Sequence, residues 1–196
     1  MPASFDIESS TGSYAIAIGD GLFDQVLAEN GEYLFMVDAY LADRMLAAGI
    51  DAITLPAEEA TKSLDRMTPL IEAMKDRRTT RNTTLIAVGG GVVQDCATFA
   101  ASVYMRGIPW IYVPTTLLSM ADSCIGGKSS INVGRYKNIV GTFHPPQRVV
   151  IDPALAATLS PEQRIAGLCE AVKICMCRGP EALECYLALA PSAASS

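Results

Sequence analysis

The sequence predicts an α/β protein with a Rossmann-like parallel sheet and flanking helices, followed by the start of a helical domain. Short apolar runs alternate with segments of helical periodicity, which favours a parallel sheet with right-handed crossovers. Two runs, at residues 33–37 and 84–88, are apolar throughout, as is typical of strands buried on both faces. The second run leads directly into three glycines. With 196 residues, half of them hydrophobic, the chain can bury a sizeable core.

Periodicity and turn residues predict the individual elements in order. Tyr14, Ile16 and Ile18 alternate along a strand that ends at the glycines of residues 19–21. Apolar residues recur at spacings of three and four between residues 62 and 78, which predicts an amphipathic helix. The predicted strands are 14–18, 33–37, 53–55, 84–88 and 110–113, and the predicted helices are 22–29, 41–48, 62–78 and the segment after the glycines to about 101.

The character of the chain changes after residue 152. Ser160 is a candidate N-cap and Pro161 a candidate first helical residue, which predicts a helix running towards Cys177, with further helical turns over 183–189. We therefore expect an α/β domain over 1–155 and a short helical stub over 156–190. The small and polar residues 191–196 are expected to be a disordered tail.

Charge and cysteine usage exclude several classes of function. A net charge of −6 argues against nucleic acid or an anionic membrane as the main partner. No apolar run approaches the ~18 residues of a membrane span, and residues 1–10 lack the pattern of a secretory signal. We expect a cytoplasmic protein whose six cysteines are buried thiols, because disulfides are rare there and paired C-x-x-C zinc spacing is absent.

The three glycines at residues 89–91 connect a buried strand to a helix. Such a turn lets a phosphate approach the free N–H groups at a helix N-terminus, but a structural tight turn explains three glycines equally well. The spacing is not the G-x-G-x-x-G of true Rossmann domains. Asp95 follows one turn into the helix, either as a charge that favours the helix N-terminus or as a polar anchor for a cofactor.

A second polar segment lies between residues 106 and 138. Arg106, Lys128 and Lys137 occur there with Asp122 among glycines and hydroxyl residues. Glycines beside a lysine suit contacts to a phosphate. A solvated surface loop is the alternative, but the neighbouring isoleucines and valine (Ile125, Ile131, Ile139, Val140) favour a functional site.

These segments carry a family resemblance. The motifs GGGVVQD, YMRG, VPTTLLSMADSCIGGKSSINVGRYKN and LCEAVK occur in the order found in 3-dehydroquinate synthase and its sugar-phosphate cyclase relatives. From about residue 14 to 189 the chain resembles that family. The resemblance implies NAD and a divalent metal (zinc or cobalt) as cofactors, a seven-carbon sugar phosphate as substrate, and a possible homodimer.

The resemblance also implies roles for individual residues. The implied cofactor contacts are Asp38, Glu59, Lys62, Gly89, Gly90, Gly91, Val92, Asp95, Thr115, Thr116, Leu118, Lys128, Lys137, Leu155 and Thr158. The implied reaction-site residues are Asp122, Lys128, Lys137, Asn138 and Lys173, with Arg106 reaching the phosphate region in the family dimer. Glu170 matches the metal-binding glutamate.

The implied reaction begins when NAD⁺ transiently oxidises a ring hydroxyl. Phosphate is then eliminated, the ketone is reduced back and the ring closes by an internal aldol step. In the family two later histidines complete the metal site, whereas this chain has one histidine, His144, which we interpret as a loop residue. Catalytic zinc needs three protein ligands, so we expect this chain alone, as a fragment or truncated product, to bind metal poorly and to turn over slowly or not at all.

Two departures leave the identity of the reaction open. Gln94 replaces the usual glycine of the GGGVVGD pattern, where it is expected either to crowd the pyrophosphate or to point into solvent. The residues around Asn132 are closer to the divergent cyclases, so a related cyclase with another product is an alternative. A metal-dependent alcohol or glycerol dehydrogenase, with a similar Pro-Thr-Thr turn, and a non-catalytic NAD-binding module are the others.

Overall fold

A computed structural model describes residues 3–189. The strands are β1 (Ala3–Ser9), β2 (Gly12–Ile18), β3 (Tyr33–Asp38), β4 (Ile53–Leu55), β5 (Thr84–Gly89), β6 (Trp110–Pro114), β7 (Ile131–Val133), β8 (Tyr136–Val140) and β9 (Arg148–Ile151). The helices are α1 (Leu22–Ala28), α2 (Ala42–Ala47), α3 (Leu64–Asp76), α4 (Gly91–Val103), α5 (Pro161–Arg178) and α6 (Pro180–Ala188). Short 3₁₀ segments lie at 39–41, 59–61, 104–106 and 153–158, and one π-helical turn lies at Ser119–Ser123.

Seven strands form one sheet in the order β1-β2-β9-β6-β5-β3-β4. All neighbours from β2 to β4 pair in parallel, and β1 adds an antiparallel edge strand. Strands β7 and β8 form a separate antiparallel hairpin. The expected Rossmann-like parallel sheet with flanking helices is therefore confirmed.

The central strands are apolar throughout because helices cover both faces of the sheet. Side chains alternate between faces along a strand, so Leu85 and Ala87 of β5 enter one core while Ile86 and Val88 enter the other. Helices α3 and α4 close the first core. Helices α1 and α2 close the second, where Phe23 is fully buried.

All five strands predicted from the sequence are present, whereas β1, β9 and the β7–β8 hairpin were not predicted. Strand β1 is exposed along nearly its whole length and pairs only with β2, so it lacks the apolar signal of a buried strand. Strand β9 has only four residues and is defined by its pairing with β2 and β6. Pairing between distant segments, and not local pattern, determines these elements.

The predicted helix start at Ser160 is confirmed as a capping box. The Ser160 hydroxyl oxygen accepts a hydrogen bond from the Gln163 backbone N–H at 3.3 Å, and the Gln163 side chain accepts one from the Ser160 N–H at 3.0 Å. Helices α5 and α6 follow where the helical stub was expected. The domain boundary itself stays a prediction, and the tail over 191–196 lies outside the described residues.

The cysteines fit the expectation only in part. All six are free thiols, as expected, and Cys96 and Cys124 are buried. The prediction of buried thiols is wrong for Cys169, Cys177 and Cys185, which are exposed because they lie on the open surfaces of α5 and α6. Within residues 3–189 no helix is both long and apolar enough to cross a membrane.

Gly167 is the point at which α5 packs most closely on the rest of the fold. A Cβ atom at Gly167 would lie 2.5 Å from the Leu117 Cβ atom. We expect Gly167→Ala to destabilise the protein by about 1–3 kcal/mol through overpacking, despite the better helix propensity of alanine. The urea midpoint measures this change, with Ala166→Ser on the exposed face of α5 as the control. An unchanged midpoint for Gly167→Ala would show that α5 does not sit against Leu117.

Candidate functional site

The turn between β5 and α4 leaves a helix N-terminus without a side-chain cap. Gly90 is the N-cap, and the Gln94 N–H is bonded to the Gly90 carbonyl at 3.0 Å. The N–H groups of residues 91–93 precede that first helical hydrogen bond and are available to an acceptor. With the positive end of the helix dipole, they form a potential anion site.

The space around the three glycines differs from one position to the next. A Cβ atom at Gly89 would lie 2.5 Å from a Val93 methyl carbon, so only glycine allows the strand and helix to pack this closely. At Gly90 a Cβ atom would lie 3.0 Å from the Thr116 methyl carbon. At Gly91 a Cβ atom would meet nothing within 4 Å, so this position faces open space. A tight turn accounts for Gly89, whereas packing does not account for Gly91.

A cleft of about 720 Å³ opens at this helix N-terminus. Seven residues predicted for the site line it: Lys62, Gly91, Asp95, Leu118, Asp122, Lys128 and Asn138. One wall is the start of α4 and the π-helical turn, and the opposite wall is the segment from Ser129 into strand β8 and on to Phe143. The structure therefore brings the glycine turn and part of the polar segment of residues 106–138 together around one cleft.

Asp95 and Lys62 form an ion pair inside this cleft. The Lys62 Nζ atom lies 2.9 Å from an Asp95 carboxylate oxygen, and the other oxygen accepts a hydrogen bond from the Ser130 N–H at 2.8 Å. Burial raises the pKa of Asp95, and the neighbouring Lys62 counteracts this shift. The sequence suggested either a helix-terminal charge or a cofactor anchor. The structure shows in addition that Asp95 ties α4 to the segment before β7.

A second polar network supports the β7–β8 hairpin. The buried Asn132 side chain donates a hydrogen bond to Glu59 at 2.8 Å and accepts one from the Asn138 N–H at 2.8 Å. The hydrogen bond from Asn132 lowers the pKa of Glu59. Asn138 adopts a left-handed backbone (φ 57°), which asparagine tolerates better than most residues. Asn132 thereby holds the part of the hairpin that contributes Asn138 to the cleft.

The two lysines of the segment differ in position. Lys128 lines the cleft. Lys137 does not line it: its side chain is 71% exposed and its Nζ atom lies 3.9 Å from Glu59. Of the apolar neighbours that favoured a functional site over a solvated loop, Ile131 is buried, whereas Ile125 and Ile139 are exposed. Ile139 nevertheless lines the cleft, and Ile125 lies before the hairpin.

Glu170 and Lys173 on α5 lie beside the π-helical turn. Lys173 donates a hydrogen bond to the Glu170 carboxylate, which lowers the pKa of Glu170 and raises that of Lys173. Asp122 lies within hydrogen-bonding reach of Glu170, and the nearby Lys128 lowers the pKa of Glu170 further. Four predicted reaction-site or metal residues thus come together from two separate segments of the chain.

The described residues do not form a complete metal site. Among residues 3–189 no group of three His, Cys, Asp or Glu side chains is placed to hold a metal ion. The His144 ring nitrogen Nε2 donates to the Ile108 carbonyl at 2.9 Å, as a loop residue would. Glu170 is therefore a single candidate ligand within this part of the chain.

The remaining predicted residues lie outside the cleft lining. Asp38 is buried at the end of β3 and accepts a hydrogen bond from the Tyr40 N–H at 3.3 Å. Five other residues follow strands β4, β6 and β9 and lie at or near the same carboxyl edge of the sheet: Glu59, Thr115, Thr116, Leu155 and Thr158. Val92 lies in the first turn of α4. Arg106 is exposed just past the last residue of α4, at the helix end away from the glycine turn.

Sequence reasoning missed the role of Gln94. The residue is only 3% exposed, so its side chain neither points into solvent nor lies free over the glycine turn. Its amide group donates to the Ser123 carbonyl and accepts from the Ser123 hydroxyl at 2.6 Å. No local pattern connects two residues that are 29 positions apart, so only the folded chain reveals this pair.

Fold and cleft together define a Rossmann-like α/β protein with a glycine turn that opens into a polar pocket. The family described as 3-dehydroquinate synthase N-terminal matches residues 52–166. The chain therefore belongs to the 3-dehydroquinate synthase family. This membership favours the cyclase interpretation of the sequence over the dehydrogenase alternative.

Individual relatives agree with this assignment. The 3-dehydroquinate synthase of Methylococcus capsulatus is 41% identical over 190 residues, which cover 90% of this chain and 53% of the relative. The crystal structure of 2-deoxy-scyllo-inosose synthase complexed with carbaglucose-6-phosphate, NAD⁺ and Co²⁺ matches with a TM-score of 0.78 at 28% identity, over 87% of this chain and 51% of that one. The 2-epi-5-epi-valiolone synthase of Streptomyces hygroscopicus, with NAD⁺ and Zn²⁺ bound, matches with a TM-score of 0.75 at 28% identity, over 86% and 51%. The chain spans about half the length of these relatives.

The burial of the Asp38 carboxyl group predicts how the stability of the protein depends on pH. Burial raises the pKa of Asp38 above its ordinary value of 3.8. The folded protein then binds this proton more tightly than the unfolded chain, so the contribution of Asp38 to stability falls as the pH rises from about 3.8 through the raised value. Asp38→Asn keeps an acceptor for the Tyr40 N–H and loses this charge.

We expect the stability advantage of Asp38→Asn over the parent to grow with pH and to level off once the pH has passed the raised pKa of Asp38. Urea unfolding at several pH values measures it. Asp43→Asn, at an exposed position on α2, should follow the parent across the range. A constant difference between Asp38→Asn and the parent would contradict the buried position of this carboxyl group.

Proposed function

We propose that this chain forms the NAD-binding part of a sugar-phosphate cyclase of the 3-dehydroquinate synthase type. The reaction would be phosphate elimination from a seven-carbon sugar phosphate followed by ring closure. One observation carries the proposal: a single cleft joins the uncapped N-terminus of α4 to Lys128, Asp122 and Asn138. Relatives of this family support it, and the chain would contribute its cleft to the family's whole active site.

The glycine turn fits the pyrophosphate of NAD. The N–H groups at the start of α4 would hold its oxygens, and the open space at Gly91 gives room for them. Asp38, Thr115 and Leu155, at or just after the carboxyl ends of neighbouring strands, would hold the rest of the dinucleotide. When bound, NAD⁺ would accept a hydride from a ring hydroxyl carbon and later return it.

The polar groups of the cleft would bind and orient the sugar phosphate. Lys128 supplies a cation for a phosphate or carboxylate group, and Asn138 supplies an amide for hydroxyl groups. The Asp122 carboxylate would accept a proton from a hydroxyl group of the substrate. Lys173, paired with Glu170, adds a second cation beside this end of the cleft. Fixing these groups on rigid elements provides the orientation that the reaction needs.

The metal of the family is supported less directly. Glu170 would be one ligand of a zinc or cobalt ion, but the described residues offer no group of three. Glu170 also already contacts Lys173. No step of the mechanism proposed here passes through a metal ion held by residues 3–189.

The position of Arg106 bears on a possible partner of this chain. Arg106 lies at the exposed end of α4, outside the cleft lining, so a second copy of the chain would have to bring it to a neighbouring cleft. A net charge of −6 supports a small phosphorylated substrate over nucleic acid or an anionic membrane. Six free thiols are in keeping with a cytoplasmic location.

The Gly91→Ala variant tests NAD binding. The added methyl group meets no protein atom within 4 Å and replaces glycine in a helix, so folding should be unimpaired. The same methyl group would occupy the space proposed for the pyrophosphate. We expect calorimetry to show NAD⁺ binding to the parent and at least about tenfold weaker binding to Gly91→Ala, equivalent to about 1.4 kcal/mol. Gln25→Ala, at an exposed position on α1, is the control. If Gly91→Ala bound NAD⁺ as tightly as the parent and Gln25→Ala do, the pyrophosphate would not bind at this turn.

The Lys128→Ala variant tests the substrate end of the cleft. The phosphonate analogue of the seven-carbon sugar phosphate, which cannot lose phosphate, is a suitable probe and is added to the NAD⁺-saturated protein. Loss of a charge-assisted hydrogen bond should weaken its binding by about tenfold or more, and the loss should shrink at high salt. Lys75→Ala, on the exposed surface of α3, should bind as the parent does. A parent that binds NAD⁺ but not the probe would instead favour a non-catalytic NAD-binding module.

A further inference from the structure

Gln94 occupies a junction between the two halves of the cleft. It lies in the first turn of α4, and it also lines the cleft. Its side chain reaches the last residue of the π-helical turn, where it makes two hydrogen bonds with Ser123. Both the donor and the acceptor of the amide are used, so its orientation is determined.

At the end of the π-helical turn, the Ser123 carbonyl takes its donor from the Gln94 side chain. The Cys124 N–H bonds to the Ser119 carbonyl at 3.1 Å and the Ile125 N–H bonds to the Asp122 carbonyl at 3.1 Å. The next N–H, that of Gly126, bonds instead to the Tyr14 hydroxyl at 2.8 Å. The chain thus leaves the helical path directly after Ser123, and the Gln94 amide supplies the donor for the Ser123 carbonyl. Even a partly buried carbonyl is costly without a donor.

Asp122 directly precedes Ser123 in the same turn. Its carboxyl group lines the cleft and lies beside Glu170 of α5. We propose that Gln94 is a positioning residue, which holds the π-helical turn so that Asp122 faces the substrate end of the cleft. The glycine found at this position in the family's usual motif has no side chain and cannot make this connection, so the chain would have its own means of placing Asp122.

This inference rests on the proposed function for its consequence but not for its geometry. The geometry predicts that removing the amide loosens residues 117–126 while α4 stays formed. The consequence is that binding of the sugar-phosphate analogue suffers while NAD⁺ binding does not, because the N–H groups at residues 91–93 are untouched. A merely structural role of Gln94 in α4 would weaken both ligands alike.

The first measurement is amide hydrogen exchange on the complete chain without ligands. Gln94→Ala should exchange about tenfold faster than the parent in peptides covering 117–126, as expected for one lost buried hydrogen bond, and at the parent rate within α4. Gln94→Glu keeps the acceptor for the Ser123 hydroxyl but places a carboxylate oxygen against the Ser123 carbonyl, so it should exchange at least as fast as Gln94→Ala. Gln25→Ala is the control for a distant glutamine.

The second measurement is calorimetry with NAD⁺ and then with the phosphonate analogue of the seven-carbon sugar phosphate. Gln94→Ala should bind NAD⁺ within twofold of the parent and the sugar phosphate about tenfold more weakly, the effect of one hydrogen bond. Ser123→Ala removes the hydroxyl but leaves the carbonyl, so its loss should be smaller.

Unchanged exchange over 117–126 in Gln94→Ala overturns the inference whatever the ligands do. Equal weakening of both ligands overturns it as well and assigns Gln94 to the stability of α4. If the parent binds neither ligand, the proposed function fails, and the exchange data still decide whether Gln94 holds the turn.

Discussion

The close packing of strand β5 against helix α4 is the constraint on which the candidate site depends. Gly89 has no space for a Cβ atom because Val93 lies against it, so the helix starts immediately at the carboxyl end of a central strand. That start leaves backbone N–H groups without partners and directs them into the cleft. Any residue other than glycine at position 89 would displace the helix and, with it, the anion site.

Polar contacts then place the second wall of the cleft against this helix. The Lys62–Asp95 pair, with the hydrogen bond from Ser130 to Asp95, ties the segment before β7 to α4. Asn132 anchors the hairpin to Glu59 in the same way. Lys62, Asp95 and Asn132 are largely buried and have their partners, so they fix the geometry more firmly than exposed ion pairs do, whereas Glu59 is itself exposed. The residues proposed to contact the cofactor therefore also build the pocket that would receive it.

The substrate end of the cleft is assembled from segments far apart in sequence. The π-helical turn brings Asp122, and α5 brings Glu170 and Lys173, through the close approach of Gly167 to Leu117. Helix α5 is largely exposed on its other faces. One carboxylate among these residues is a candidate metal ligand, and the described chain provides no complete ligand set. The dinucleotide end of the cleft is thus the more fully formed of the two.

Local patterns in the sequence determined the central strands, the major helices, the Ser160 cap and the glycine turn, because each depends on residues within one or two turns of each other. Ordered motifs pointed to Lys62, Asp95, Asp122, Lys128 and Asn138, and these five line one cleft. The tertiary structure alone decided that Lys137 points outward, that Asp95 pairs with Lys62, and that Gln94 holds Ser123. It also decided the edge strand β1 and the short strand β9. Each of these outcomes depends on the distance between groups that are remote along the chain, and residue type and spacing carry no record of that distance.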